Sequence, residues 1–203
     1  MKDGALQIRA LDSLSSLDEN AWNDLVGSHS PFVEYGFLHS LEETGCLAPQ
    51  SGWTPRIVTA RRDGDLVGAV PLYEKTNSEG EFVFDWSWAE GAMRAGIDYY
   101  PKGVVGVPFT PVSGARILVA CDHPNHKEIA GRLVDATLNL ADDEELSSVH
   151  FNFILPEERS LFEERGLPIR RGIQYHWRNE GTDDRASYED FDDFLSRFRS
   201  KKR

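Results

Sequence analysis

The chain has 203 residues, enough for one domain with a buried core, and its 40% apolar and 28% charged content is that of a globular protein. No run approaches the roughly 18 apolar residues that span a bilayer, and the opening MKDGALQIRA lacks the apolar stretch of a secretory signal. A net charge of −12 argues against binding DNA, two cysteines imply no disulfide framework, and the expected location is the cytoplasm.

In chain order, Ala5 to Ala10 alternates like a strand. Ser16-Leu-Asp-Glu19 reads as a capping box for a helix whose stripe is Leu17, Ala21, Leu25 and Val26. Ser30-Pro31 starts a second helix, with Phe37, Leu38 and Leu41 as its apolar face and Gly45 past its end. Pro55 to Ala60 and Leu66 to Tyr73 flank Asp63-Gly64, a hairpin turn. Glu81 to Trp88 alternates acidic or small residues with aromatic ones, which predicts a half-buried strand with Trp86 and Trp88 lining a core or cleft; Ala89 to Gly96 follows as a short helix.

Tyr99 to Ala120, YYPKGVVGVPFTPVSGARILVA, carries too many prolines and glycines for a plain strand and too many apolar residues for a surface loop. Next come an amphipathic helix with Ile129, Leu133, Thr137 and Leu140, a strand from Ser148 to Ile154, and a helix from Pro156 to Gly166. Ile169 to Trp177 is predicted as a strand and Ser187 to Phe198 as an amphipathic helix. The order implies an α/β fold, a mixed sheet with helices on its faces. Residues 1–186 are expected to form the main domain and 187–203 a C-terminal helix that begins a connection to a second half.

Several phrases narrow this further: Pro31-Phe32, Gly52-Trp53, Pro55, Gly68-Ala69-Val70-Pro71-Leu72-Tyr73-Glu74-Lys75, Gly80-Glu81, Val83-Phe84-Asp85 and Trp88-Ala89. Tyr99-Tyr100-Pro101-Lys102, Pro108-Phe109-Thr110-Pro111-Val112, Gly114, Arg116, Gln174 and His176-Trp177 complete the set. Together they resemble the FemAB-like group named for peptidoglycan biosynthesis or recognition, over nearly the whole chain. The resemblance implies a GNAT-like sheet, mixed and mostly antiparallel with helices on both faces. It also implies transfer of an acyl or aminoacyl group to an amine of a cell-wall precursor or other small molecule, from acyl-CoA or aminoacyl-tRNA.

In such a fold two central strands splay apart to admit the donor. The Tyr99–Ala120 segment suits that role because Pro108 and Pro111 cannot donate to a ladder. Tyr99, Tyr100, Lys102, Phe109 and Thr110 are then expected to line the cleft, together with Gln174 and Trp177. His176 is the expected base and Asp85 the second candidate; His150 and His176 both suit titration near neutrality. The [QR]-x-x-G-x-[GA] loop of acyl-CoA enzymes has only near misses, at Arg61-x-x-Gly64 and Arg178-x-x-Gly181. That leaves a binding module without its own donor site as the alternative. Cys121, His123 and His126 match no zinc spacing, so no metal is expected. The stripe of Tyr188, Phe191, Phe194, Leu195 and Phe198 predicts a homodimer through the C-terminal helix.

Overall fold

A hairpin with two broken arms organises the sheets in the computed structural model, which describes residues 4–27, 30–120, 122–175, 177, 179 and 187–198. One arm is Trp53–Pro55 (β2) and Ile57–Arg62 (β3), interrupted at Arg56; the other is Asp65–Val70 (β4) and Leu72–Lys75 (β5), interrupted at Pro71. Pro71 has no N–H to give a ladder. Across the breaks, Arg56 N donates to Leu72 O at 2.8 Å, and the Arg56 guanidinium pairs with Asp12, Glu74 and Glu144 at 3.0–3.3 Å. The turn between the arms is left-handed at both Asp63 (φ 53°) and Gly64 (φ 97°), as an Asp-Gly hairpin requires.

The breaks divide the strands into two sheets. Gln7–Leu11 (β1) pairs antiparallel with β3, giving the order β1-β3-β4. Lys102–Val105 (β6) pairs antiparallel with β5 and parallel with Val149–Phe151 (β7), giving β2-β5-β6-β7. The Tyr99–Ala120 segment serves both sheets. It runs along β5 as β6, loops away, and returns to exchange two 2.8 Å backbone bonds between Leu118 and Ala69 of β4.

Helices cover both faces, as the fold reading anticipates. Glu19–Val26 (α1) and Tyr35–Glu43 (α2) supply Trp22, Leu25, Val26 and Leu38 to a core with Ile57, Ala69 and Leu118. His126–Asp143 (α4) and Arg159–Glu163 (α5) supply Ile129, Leu133, Val134 and Phe162 to a second core with Val58, Ala60, Val70 and Leu72. The alternation of Ile57 with Val58, and of Ala69 with Val70, sends neighbours to opposite faces. Two compact units result, Met1–Ile169 and Arg170–Arg203. Among the described residues, no helix is long and apolar enough to cross a membrane.

Four local expectations are corrected. Ser16 closes a 3₁₀ turn capped by Ser13, and the cap of α1 is Asp18, whose carboxylate accepts from Ala21 N at 2.9 Å. Glu81 to Trp88 is not a strand: Phe82 (φ 59°) and Phe84 (φ 52°) are left-handed, and Trp86–Arg94 forms a helix (α3). Its alternation is real but inverted, with Glu81 and Asp85 buried while Phe82, Phe84, Trp86 and Trp88 are exposed. Residues 169–175 form no strand, and the helix from Ser187 shortens to Phe191–Ser196 (α6).

At Gly68 of β4 the sheet lies against α4 so closely that a Cβ would sit 2.7 Å from Leu133 Cδ1, 2.9 Å from Ile129 Cγ2 and 3.2 Å from Leu118 O. Gly68→Val is therefore expected to cost about 1–3 kcal/mol in urea unfolding. An unchanged unfolding midpoint would show that α4 has room to move.

Candidate active site

The register of β2, β5 and β6 sets Trp53 opposite Lys75, and Lys75 opposite Lys102. In the next row stand Tyr73, Val104 and His150. Both lysines are fully buried. Like charges facing each other across strands destabilise a sheet, and an uncompensated buried ammonium is costlier still. The compensation comes from residues 76–101, between β5 and β6, which bring Ser78, Glu81, Asp85, Tyr99 and Tyr100 over the lysines.

The Lys102 ammonium donates to Asp85 Oδ2, lies 3.1 Å from Glu81 Oε1, and donates to Ser78 Oγ at 3.3 Å. It sits 5.0 Å from the Tyr99 ring centroid and 5.5 Å from that of Tyr100. Tyr99 OH donates to Asp85 Oδ2 at 2.6 Å, and the hydroxyls of Ser78 and Tyr100 share a 2.6 Å hydrogen bond. Lys75 donates to Glu79 O and Asn77 Oδ1 and lies 4.0 Å over the Trp53 ring. Two ammonium groups and two carboxyl groups thus share one dry pocket.

Burial pushes the Asp85 carboxyl up, but hydrogen bonds from Lys102, Ser78 and Tyr99 outweigh it and hold it at about 2. Glu81 moves the other way: burial raises it more than Lys102 lowers it. Burial brings Lys75 down to about 8, and burial together with Lys102 brings His150 to about 4. His150 is therefore neutral at pH 7, against the expectation that it titrates near neutrality.

Both oxygens of Glu81 and Oδ1 of Asp85 are buried without a hydrogen bond, and Glu81, Asp85 and His150 place ligating atoms within 4.8 Å of one another. These three residues are the set that would hold a metal ion. The Lys102 ammonium, however, already lies against both carboxylates as the cluster's own cation, so the donor set does not favour a further one.

These shifts predict how stability varies with pH. Between about 8 and 10.5 the unfolded chain binds more protons at Lys75 than the folded one, so stability rises with pH there. Above about 10 the upward-shifted hydroxyls of Tyr73 and Tyr99 reverse the trend. Below about 4 the stability that Asp85 contributes is lost as pH falls towards 2. Urea unfolding at a series of pH values should show the alkaline rise, and Lys75→Met should flatten it; a rise that persists in the variant would assign it elsewhere.

At the other end of β6 its ladder with β7 stops, and Gly114 N donates to Phe153 O at 3.1 Å. β6 and β7 pair over three residues, Asn152 N donates to Val105 O at 2.9 Å, and then the strands part. The buried Arg116 side chain bridges the parting, donating from Nε to Asn152 O (2.6 Å) and from Nη2 to Val112 O (2.5 Å). Glu158 Oε1 accepts from the backbone of Arg116 and Ile117 at 2.7 and 2.9 Å. Near the start of α4, Asn125 N is taken by His123 Nδ1 at 3.1 Å.

Of the residues singled out by sequence, Asp85, Tyr99, Tyr100 and Lys102 meet in the buried cluster. Phe109 lies beside it, its N donating to Gly80 O at 3.0 Å and its ring 5.5 Å from Trp53, while Thr110 Oγ1 donates to Pro108 O within its own turn at 3.2 Å. Gln174 and Trp177 are exposed and belong to the second unit. There Trp177 packs with Tyr188 and Phe194 at ring distances of 6.2 and 6.0 Å. His176 and Cys121 lie outside the described residues. Sequence reading missed Ser78, and it named Lys75 and Gly80-Glu81 only as part of the family resemblance, not as members of a site.

No curated protein matches the chain. Among solved structures, a ribosomal-protein-alanine N-acetyltransferase from Brucella melitensis biovar Abortus 2308 aligns over 86% of this chain and 99% of its own, at 21% identity and a TM-score of 0.50. The aminoglycoside N-acetyltransferase AAC(6')-Iy in complex with CoA aligns over 88% and 97%, at 14% identity and a TM-score of 0.49. The first likeness shows the fold of GNAT acetyltransferases. The FemAB-like family, described as peptidoglycan biosynthesis/recognition, matches residues 13–203, and the chain belongs to that family.

Proposed function

We propose that the protein is a cytoplasmic N-acyltransferase that moves an acyl or aminoacyl group from acyl-CoA or aminoacyl-tRNA to an amine of a peptidoglycan precursor or another small amine. The amine nitrogen attacks the donor carbonyl carbon, a C–N bond forms, the donor's C–S or C–O bond breaks, and the amine proton passes to a base. Family and fold support the reaction class. The observation that carries the reading is the construction of β6. It holds the polar cluster at its first residue and parts from β7 after its last, so both lie on one four-residue strand roughly 10 Å long.

In this reading the donor lies along the parting strands, where backbone amides stabilise the developing oxyanion. Tyr99, Tyr100, Phe109 and Thr110 line the approach; Gln174 and Trp177 are assigned to the acceptor by the family resemblance alone. His176 is the base. Asp85, ionised and bonded to Lys102 and Tyr99, positions those two groups and is a poor proton acceptor at pH 7. His176→Ala is expected to lower turnover by about 10²–10⁴-fold with the fold intact. Turnover that stays unchanged across the pH range would remove His176 from the mechanism.

A second reading, a binding module without its own donor site, is favoured by the glycine-free approach to α4, where His123 takes an amide that a pyrophosphate would need. Calorimetry with acetyl-CoA and with a muropeptide separates the two: a muropeptide response without any CoA response supports the module, and tight CoA binding excludes it. The proposal extends to a two-fold homodimer through the aromatic stripe of the C-terminal helix, on which Phe191 is 69% exposed. Sedimentation equilibrium at micromolar concentration should give twice the chain mass, and a strictly monomeric mass would refute the dimer.

A further inference from the structure

The loop that lids the lysine cluster turns its aromatic side chains the wrong way for folding. Phe82, Phe84, Trp86 and Trp88 are 45–66% exposed, so their rings contribute little burial. Phe82 and Phe84 hold a left-handed backbone, which a bulky side chain disfavours. Strain spent on presenting rings to water marks a binding surface rather than a core.

A groove of about 200 Å³ runs along these rings, lined by Ser78, Glu79, Gly80, Phe82, Phe84 and Trp86. One wall is aromatic, with the Phe84 and Trp86 rings 5.5 Å apart, edge to face. The rest of the lining is Ser78, Glu79 and Gly80. Glu79 N donates to Asn77 Oδ1 at 3.0 Å, while Glu79 O accepts from Lys75 and from Trp53 Nε1, leaving the Glu79 carboxylate exposed. Ser78 joins the groove to the buried network through Tyr100 and Lys102.

We propose that this groove binds one pyranose ring of a carbohydrate. A pyranose has an apolar C–H face and a hydroxyl edge, which match a groove whose lining combines three aromatic residues with a glutamate and a serine. The volume falls below the roughly 300–1,000 Å³ of drug-sized sites and suits a single ring. The exposed carboxylate, on a chain of charge −12, opposes a phosphate-bearing nucleotide. As the sugar portion of the acceptor, the ring would sit beside Ser78 and the cluster; that coupling rests on the acyltransferase reading, whereas binding of the ring does not.

Saturation-transfer NMR with N-acetylchitotriose tests the inference. Transfer to the ring C–H protons is expected from the wild-type protein. Phe84→Ala and Trp86→Ala, both at exposed positions, should each weaken binding by roughly tenfold with circular dichroism unchanged, and Glu79→Gln should weaken it by a smaller factor. No transfer from the folded wild-type protein, or transfer undiminished in both aromatic variants, overturns the inference, as does displacement of the sugar from Phe84 and Trp86 by a lysine-bearing peptide that binds there more tightly. The two readings fail separately: sugar binding without acyl transfer leaves the groove standing, and acyl transfer by a protein that binds no sugar removes the groove alone.

Discussion

Two fully buried lysines facing each other across β5 and β6 are the constraint on which the rest of the first unit depends. A sheet would shed such a pair unless anions came to it, because each unpaired charge away from water costs several kcal/mol. The 26 residues between Lys75 and Lys102 supply them. Glu81 and Asp85 turn inward, Tyr99 and Ser78 complete the hydrogen bonding, and the intervening aromatic residues are left facing water. The shape of that excursion follows from electrostatics more than from apolar burial.

The same constraint links fold to function. β6 is anchored at its first residue by Lys102, and its ladder with β7 ends at its last. Arg116 and Glu158 hold the far side of the opening.

Much of this was legible in the residues. Asp63-Gly64 specified the hairpin because both positions must be left-handed, and Ile129, Leu133 and Thr137 specified α4 by their spacing, all three being buried. The Tyr99–Ala120 segment was legible as a strand that leaves its neighbour, since its prolines forbid a full ladder. The stretch from Glu81 to Trp88 was misread because period-two alternation does not say which set faces inward; the set that faces inward is acidic, chosen by two lysines that lie 6 and 21 residues away along the chain. Lys75 stood in a family phrase, but its burial carried no signal, as a lysine ending a strand ordinarily faces solvent. Asp85 was legible through the family phrase it belongs to, whereas its buried bonds to Lys102 and Tyr99 were not.

The account stands on the claim that Lys102 and the two carboxylates stabilise one another as a unit, and a thermodynamic cycle measures that directly. Lys102→Met alone should lose about 3–5 kcal/mol of unfolding free energy, because two buried carboxylates are left without their cation. Adding Glu81→Gln and Asp85→Asn to the same chain should restore much of that loss, giving a coupling of at least roughly 1–3 kcal/mol. Losses that simply add across the three substitutions would contradict the account.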